Sequence, residues 1–170
     1  MDSGTAGSGG PLGREERLKF STKGEYGVRA VFEIAKRYGK GPIPIREIAE
    51  RQGIDSVPYL EQLLNKLVRG GIVESTRGPG GGYVLARHPD EVTVGEVIRV
   101  LEGPIAPMAC LLPDDSSADC SRSAACATRL LWKRVGDRIE ETLNETTFGD
   151  LWAEEEKLVR GKVRAKVTAG

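Results

Sequence analysis

A glycine-rich run at residues 77–83, Arg-Gly-Pro-Gly-Gly-Gly-Tyr, constrains the fold of this chain more than any other stretch. Residues 72–76 before it alternate in polarity like a short strand, and residues 83–86 match a returning strand. An apolar-periodic stretch over residues 57–69, closed by two glycines, precedes this hairpin and predicts a helix. The order of helix, strand, glycine-rich tip and strand is typical of a winged helix.

In a winged helix bound to DNA, the helix lies in the major groove and the hairpin tip lies against the neighbouring minor groove. An arginine at the base of a tip with few side chains can reach into a narrow, electronegative minor groove. The hairpin therefore contributes four candidate DNA-binding residues: Arg77, Gly78, Pro79 and Gly80.

The same glycines allow an alternative interpretation, the phosphate-cradling loop of an enzyme. A dinucleotide-binding loop follows a strand and opens a helix, and a P-loop ends in Gly-Lys-Ser or Gly-Lys-Thr. Here the glycines lead into the strand-like residues 83–86, and no such tripeptide follows. The sequence therefore predicts that the chain is not an enzyme.

Two helices joined by a glycine-containing turn are predicted ahead of the hairpin. The first starts after Pro44 and stops at Gly53, and the second carries one apolar stripe of Leu60, Leu63, Leu64 and Leu67. This arrangement is that of a helix-turn-helix. The outward residues of the second helix suit base edges and phosphates: Tyr59, Glu61, Gln62, Asn65, Lys66 and Arg69. A solvated helix face is the alternative for these residues, and the attached hairpin favours DNA binding.

An earlier helix opens the patterned part of the chain. Ser21 or Thr22 is expected to cap it, with Glu25 placed to complete a capping box from Thr22. Lys23, in its first turn, is a further candidate DNA-binding residue. Helical spacing predicts one buried stripe of Val28, Val31, Phe32 and Ala35.

Charge is divided between two parts of the chain, although the net formal charge is zero. Residues 17–87 contain thirteen Lys or Arg against seven Asp or Glu, a balance of +6. Residues 110–156 contain five against eleven, a balance of −6. The first part can attract phosphate whereas the second repels it. We therefore expect a DNA-binding unit in the first part and a different function in the second.

The second half is predicted to contain a short helix, a loop and a long helix. The short helix begins at Thr93, and the loop covers residues 104–127. The long helix, from about Thr128 to Asn144, carries an apolar stripe of Leu131, Val135, Ile139 and Leu143. We expect the same helix of a second subunit to cover this stripe, because a two-fold homodimer matches a palindromic double-stranded DNA operator. A last helix is expected from Asp150 to about Val159.

The loop carries all three cysteines of the chain, Cys110, Cys120 and Cys126. Their spacing contains no C-x-x-C and differs from the ferredoxin patterns. Three thiols on a polar loop fit a metal or cluster site, a thiol redox switch, or cysteines with no shared role, and the spacing alone leaves these open. The single histidine, His88, is expected to be a solvated loop residue.

Membrane and secretory signals are not evident in the sequence. No apolar run approaches the length of a membrane span, and the first residues lack the apolar core of a signal peptide. We therefore expect a cytoplasmic protein without membrane association, whose thiols are kept reduced.

Four stretches together resemble the family of bacterial winged-helix regulators that includes IscR, NsrR and CymR. They are LKFSTKGEYG at residues 18–27, IAERQGI at residues 48–54 with YLEQL at residues 59–63, the hairpin tip at residues 77–83, and VGEVI at residues 94–98. With the cysteine loop and the following Leu131-Trp132, the resemblance covers about residues 18–155. It implies a homodimeric transcription factor in which a long helix crosses between the subunits.

The iron–sulfur members of that family hold a 2Fe–2S cluster on three loop cysteines. The resemblance therefore implies that Cys110, Cys120 and Cys126 are cluster ligands. IscR-like members carry a histidine three residues after the last cysteine, where this chain has Arg129, which cannot ligate iron. NsrR-like members use an acidic residue of the first helix, and the matching residue is Glu25. Glu25 of the partner subunit is thus the expected fourth ligand, with the helix cap as its alternative role.

The resemblance implies a repressor or dual regulator that senses iron–sulfur, redox or nitric-oxide status. The alternative is a cluster-free, CymR-like regulator of cysteine and sulfur metabolism, controlled by a protein partner or by thiol oxidation. The expected fold class is mainly α with a small β-hairpin, a winged helix-turn-helix plus a long dimerisation helix. The expected organisation is a disordered leader at 1–17, a winged helix-turn-helix DNA-binding domain at 18–87, a connecting helix and cysteine loop at 88–127, the dimerisation and terminal helices at 128–160, and a flexible tail at 161–170.

Overall fold

The computed structural model describes residues 21–112 and 126–168, which form six α-helices and one two-stranded antiparallel hairpin. In chain order the elements are α1 Thr22–Ala35, α2 Ile45–Gln52, α3 Val57–Arg69, β1 Val73–Thr76, β2 Gly82–Leu85, α4 Val94–Glu102, α5 Ala127–Glu145 and α6 Phe148–Thr168. Short 3₁₀ turns occupy Pro89–Glu91 and Ala109–Leu111. The predicted mainly α class with a small β-hairpin is confirmed.

The start of α1 agrees with one of the two predicted caps but not with the predicted capping box. The N-cap is Ser21, whose hydroxyl oxygen accepts a hydrogen bond from the Lys23 amide at 3.2 Å. Thr22 is already helical, so the predicted capping box between Thr22 and Glu25 is wrong. The Glu25 carboxylate instead forms an ion pair with Arg29, one turn later, at 3.3 Å, and its side chain is 61% exposed.

Helices α2 and α3 form the predicted helix-turn-helix. Gly53 ends α2 with φ of 58°, a left-handed conformation that favours glycine. Ser56 caps α3, because its hydroxyl accepts a hydrogen bond from the Tyr59 amide at 3.3 Å. The two helices bury the predicted leucine stripe of α3 together with two residues of α2: Leu60, Leu63, Leu64 and Leu67, with Ile48 and Ala49.

The hairpin follows α3 directly and is attached to the helix-turn-helix at its base. Val73 pairs with Leu85 at one end of the ladder, and Thr76 pairs with Gly82 next to the tip. Ile43, in the loop before α2, forms an isolated antiparallel bridge with Tyr83. Strand β2 is therefore hydrogen-bonded on both sides, to β1 within the hairpin and to the α1–α2 loop outside it.

Helix α4 crosses α1 at two glycines that allow close approach. A Cβ on Gly24 would lie 2.8 Å from the Glu102 Oε1, and a Cβ on Gly27 would overlap Leu101. The two helices therefore approach each other more closely than larger residues at these positions would permit. This crossing buries the inner face of α4 against the same core that supports α3.

The beginnings of α4 and α6 lie next to each other. Thr93 and Glu96 form a complete capping box, which confirms the predicted start at Thr93. Thr93 also forms an isolated bridge with Thr147, immediately before α6. Phe148, the first residue of α6, is fully buried and anchors the helix in the core.

The C-terminal helices are longer than the sequence predicted. Helix α5 extends one residue past the predicted bounds at each end, and α6 begins at Phe148 and continues to Thr168. The prediction that α6 ends near Val159 is therefore wrong, and residues predicted as a flexible tail are helical as far as Thr168. The predicted leader and part of the cysteine loop lie outside the described residues. No helix in the described part of the chain is long and apolar enough to cross a membrane.

Candidate nucleic-acid interface and cysteine segment

The outward face of α3 presents the polar residues that the sequence selected for DNA contact. Glu61, Gln62 and Lys66 are exposed, as are Asn65 and Arg69. They are exposed because the four buried leucines of the helix turn towards the core. Amide, carboxylate and cationic groups on one helix face can pair with base edges and phosphates. The arrangement is therefore that of a recognition helix.

Tyr59 is less outward than predicted. Its ring lies 6.3 Å from that of Tyr26, centroid to centroid, in an edge-on arrangement with an interplanar angle of 69°. The Arg29 guanidinium lies 5.8 Å from the centroid of the Tyr26 ring. Tyr59 is therefore half-buried and contributes to the packing of α3 against α1 as well as to the surface.

The tip of the wing is open to solvent. Arg77 and Pro79 are exposed, and so are Gly78 and Gly80, whose φ angles of 98° and 77° favour glycine. The Gly81 amide closes the turn by donating to the Gly78 carbonyl at 2.9 Å. The four residues predicted from this tip thus form a narrow projection with one long cationic side chain.

The base of the wing adjoins α3. Burial raises the pKa of the Tyr83 hydroxyl above its ordinary value, and the negative charge of Glu61 raises it further. Helix α3 also packs against β1, the strand that pairs with β2 and so with Tyr83. The recognition helix and the wing therefore form neighbouring parts of one surface, as the winged-helix prediction required.

Lys23 is engaged by a carboxylate. Its Nζ lies 3.8 Å from Glu102 Oε2, and the other oxygen of Glu102 accepts hydrogen bonds from the Gly24 amide, at 2.9 Å, and from the Ser21 hydroxyl. A DNA phosphate would have to compete with Glu102 for the Lys23 ammonium. The sequence did not reveal this competition, because the two residues are brought together only by the crossing of α1 and α4.

A buried carboxylate beneath the helix-turn-helix was not anticipated. Glu33 is 3% exposed and accepts hydrogen bonds from Arg51 at 3.0 Å and from Gln52 at 2.9 Å, with Lys36 Nζ at 3.4 Å. Burial raises the pKa of Glu33, but the Gln52 hydrogen bond, the Lys36 charge and the Arg51 hydrogen bond outweigh burial and hold it below its ordinary value. The network joins α1 to the end of α2. The only sequence signal for the burial of Glu33 is its helical spacing of three residues from Ala30, which is also buried.

Two of the predicted cluster ligands lie in the described part of the chain. Arg129 donates from Nε and Nη2 to the Cys110 carbonyl, each at 3.3 Å. Its backbone N–H donates to the Cys126 carbonyl at 3.1 Å. Cys126 is the N-cap residue of α5, with its Sγ 3.1 Å from the Thr128 hydroxyl oxygen. Arg129 therefore links the two cysteine-bearing segments.

The complete predicted ligand set is not assembled within the described residues. Cys120 lies outside them, and within residues 21–112 and 126–168 no three His, Cys, Asp or Glu side chains are grouped as around a metal ion. Glu25 lies on α1, where its carboxylate pairs with Arg29. It borders a groove of about 560 Å³ whose apolar lining comes from Val28, Val94, Ile98 and Leu143.

A helix-turn-helix with an attached wing and a polar recognition helix defines a winged-helix DNA-binding protein. A family model described as "Rrf2: Iron-dependent Transcriptional regulator" matches residues 20–154. The chain therefore belongs to the Rrf2 family of transcriptional regulators.

Individual relatives agree with this assignment. The HTH-type transcriptional regulator CymR of Bacillus subtilis (strain 168) is 43% identical over 134 residues, 79% of this chain and 89% of that protein. IscR of Sodalis glossinidius (strain morsitans) is 40% identical over 141 residues, 83% of this chain and 82% of that protein. The solved structure of T. potens IscR matches with a TM-score of 0.66 and 44% identity, over 83% of this chain and 90% of that chain.

These matches confirm the resemblance found in the sequence. They also confirm that the chain is a transcriptional regulator and not an enzyme, because its relatives are named as regulators over most of their length. IscR and CymR relatives match this chain at similar identity.

Proposed function

We propose that two copies of this chain form a homodimer that binds a palindromic DNA operator and senses iron–sulfur, redox or nitric-oxide status through a 2Fe–2S cluster. Cys110, Cys120 and Cys126 supply three thiolate ligands, and Glu25 of the partner subunit supplies the fourth. A regulator of this kind acts in the cytoplasm, where thiols stay reduced and DNA is accessible.

The attachment of Arg129 to both Cys110 and Cys126 is the observation that carries this proposal. It holds two cysteines that are distant in the sequence at the same end of α5. The N-terminal end of a helix favours negative charge, such as that of thiolate ligands. Thiolates are also the usual ligands of iron–sulfur clusters. Cys110 and Cys126, the two cysteines in the described residues, therefore support the cysteine part of the ligand set.

The exposed apolar surface supports the dimer and the role of Glu25. Leu130, Leu131 and Trp132 are 62%, 55% and 37% exposed and follow closely after Cys126. The groove beside Glu25 is lined mainly by apolar side chains. A second copy that inserts its exposed segment into this groove would remove both surfaces from water. The second copy would also bring its own Cys126 towards Glu25 of the first copy.

The cluster would supply a redox-active, nitric-oxide-reactive centre, and the residues of this chain would convert its loss into a change at the DNA. Cys126 caps α5, and Cys110 is held against the same helix by Arg129. Helix α5 is bonded to α4 through the Arg99 guanidinium, which lies 3.2 Å from Glu140 Oε1 and 3.0 Å from Asn144 Oδ1. Helix α4 in turn packs on α1. A shift of α5 would therefore alter the distance between the two recognition helices, which must meet both half-sites at once. An oxygen ligand binds iron more weakly than thiolate, which makes the site labile.

The test is an anaerobic absorption spectrum of the purified protein with iron and sulfide counts. We expect about two irons and two sulfides per chain, and the loss of both in Cys120→Ala. Glu25→Ala should shift the spectrum and shorten the lifetime of the cluster. Glu74→Ala, which removes an exposed carboxylate on β1, is the matched control and should change neither. A colourless wild-type protein without iron would contradict the cluster.

The second candidate function is a cluster-free regulator of cysteine and sulfur metabolism, as in CymR. It is favoured by the 43% identity to the B. subtilis CymR, whose structure is described as that of a global cysteine regulator. This alternative predicts a colourless protein whose operator affinity changes when its thiols are oxidised or when a protein partner is added. Titration of the operator with reduced and oxidised protein distinguishes the two functions.

A further inference from the structure

Arg129 is hydrogen-bonded to two cysteines through different parts of the residue. Its backbone N–H binds the Cys126 carbonyl at 3.1 Å, while the guanidinium donates twice to the Cys110 carbonyl at 3.3 Å. We propose that Arg129 is the positioning residue of residues 108–112, the segment that carries Cys110, and sets where Cys110 lies relative to Cys126. Its effect on a cluster rests on the proposed function, whereas the positioning itself does not.

The shape of the guanidinium explains why arginine suits this task. A planar guanidinium presents N–H groups in fixed directions, so two donors on one carbonyl oxygen define both the distance and the orientation of the Cys110 peptide. The ammonium of a lysine is a point charge on a flexible stem and defines only a distance. Arg129 is also partly buried, which restricts the other conformations of its side chain.

A second contact between the same segment and α5 supports this role. Gly136, seven residues after Arg129, is the buried residue of α5, and a Cβ there would lie 3.0 Å from Pro107 Cδ and 3.7 Å from the Ile105 carbonyl oxygen. Seven residues correspond to about two helical turns, so Arg129 and Gly136 lie on the same face of α5. The segment before Cys110 therefore lies along α5 and is held at two points.

The positive charge of the Arg129 guanidinium lies beside the segment that carries Cys110. Among the described residues, no carboxylate forms an ion pair with its guanidinium, and its side-chain hydrogen bonds go to the uncharged Cys110 carbonyl. A cluster held by three thiolates and a carboxylate is anionic, and its reduction adds one more negative charge. A neighbouring cation stabilises the reduced form. Arg129 therefore raises the reduction potential of a cluster bound here.

Three variants separate the two effects. Arg129→Gln removes both the positive charge and the paired N–H donors of the guanidinium. Arg129→Lys keeps the charge but not the paired donors. Arg134→Gln, which changes an exposed arginine of the same helix, is the control. Hydrogen exchange of the metal-free proteins should be about tenfold faster over residues 108–112 in both Arg129 variants. Cluster lifetime under a chelator should be about tenfold shorter in both. The reduction potential should fall in Arg129→Gln and stay near wild type in Arg129→Lys.

The exchange measurement keeps this inference separable from the cluster proposal. If the wild-type protein takes up no cluster, the proposed function fails, and exchange in the metal-free proteins still decides the role of Arg129. Unchanged exchange over residues 108–112 in Arg129→Gln would overturn the positioning role. A potential that falls equally in the lysine and glutamine variants would overturn the charge effect. Circular dichroism of each variant shows that its helices are intact.

Discussion

The Ile43 carbonyl accepts a hydrogen bond from the Tyr83 amide at 2.9 Å, and the Ile43 amide donates to the Tyr83 carbonyl at 3.0 Å. Ile43 is fully buried, whereas Tyr83 continues into the exposed wing. The pair joins the loop before the helix-turn-helix to the base of the hairpin. The orientation of the wing is therefore set by the same loop that starts α2, and the wing and recognition helix can contact DNA as one unit.

Replacing Gly82 should damage this junction. A Cβ at Gly82 would overlap the Ile43 carbonyl, so Gly82→Ala must displace the backbone that pairs Ile43 with Tyr83. We expect a loss of about 3 kcal/mol in the free energy of unfolding. Gly78→Ala is the matched control, because its positive φ costs about 1 kcal/mol while no atom lies within 4 Å of the new Cβ. Urea unfolding measures both, and equal losses would contradict the close-approach argument.

The buried carboxylate of Glu33 should contribute strongly to stability. Glu33→Gln keeps the shape of the side chain but removes the charge that faces Arg51 and Lys36, and we expect a cost of about 1–3 kcal/mol. Glu154→Gln, which removes an exposed partner of Lys157, should cost less than about 0.5 kcal/mol. Thermal and urea unfolding at neutral pH compare the two. A smaller effect at Glu33 than at Glu154 would show that the network is not stabilising.

The pH dependence of Glu33 follows from the direction of its pKa shift. The folded-state pKa is below the ordinary value, so the carboxylate contributes stability above its unfolded pKa of about 4.3. That contribution is lost as the pH falls through the lowered, folded-state pKa. We expect the stability difference between wild type and Glu33→Gln to shrink below about pH 4.3. Urea midpoints of both proteins between neutral and acidic pH check this, and a difference that grows on acidification would contradict it.

Arg77→Ala should weaken DNA binding without affecting the fold. Arg77 is exposed at the base of the wing tip, so its removal should take away one cationic contact with the minor groove. We expect roughly tenfold weaker binding to a selected operator and a salt slope shallower by about one. Arg160→Ala, on the exposed surface of α6, is the control. Titrations at several salt concentrations measure both, and full-strength binding by Arg77→Ala would remove the wing from the interface.

Two neighbouring residues of α3 should affect binding in different ways. Gln62 carries an amide that can pair with a base edge, whereas Lys66 carries a cation suited to phosphate. Gln62→Ala should relax the preference for one base pair, at about 1–3 kcal/mol, and Lys66→Ala should weaken all sequences alike. Affinities for the operator and its single-base-pair variants separate these effects. The assignment fails if Lys66→Ala changes the order of preference among the sequences.

Leu131→Glu should disrupt the dimer. Leu131 is 55% exposed in the single chain, and a charge there would be buried without a partner if α5 packs against a second subunit. We expect a monomer at micromolar concentration and greatly weakened operator binding. Tyr38→Glu, which changes another exposed large side chain, in the turn after α1, should leave the dimer intact. Analytical ultracentrifugation decides, and a dimeric Leu131→Glu protein would contradict an interface through this part of α5.

The helix-turn-helix and wing could be predicted because their signals are local. The leucine stripe of α3, the glycine after α2 and the glycines of the wing each impose a conformation on their own neighbours. Glu33 and Lys23 could not be placed in the same way, because their partners arrive from other helices. The cap of α1 could be predicted only as Ser21 or Thr22, because the two residues have almost the same capping preference.

The cysteine segment shows a different limit of prediction. The spacing of Cys110, Cys120 and Cys126 left a metal site, a redox switch and unrelated cysteines open, and it did not indicate what would hold any of them together. From the sequence alone, Arg129 is only a residue that cannot ligate iron. Its actual contacts depend on the return of the chain after α4 to the start of α5, which no local pattern specifies. A non-ligating residue at a ligand position can thus still organise the ligands.

The wing glycines fall into two groups, which differ in what an added side chain would meet. Gly81 and Gly82 face backbone atoms of Thr76 and Ile43, whereas no protein atom lies near a Cβ at Gly78 or Gly80. Pro79, between the latter two, projects into solvent. A new side chain at position 79 would therefore meet only whatever the protein binds. If the tip contacts the operator as we propose, operator preference should change through this single codon while the hairpin that carries it stays intact.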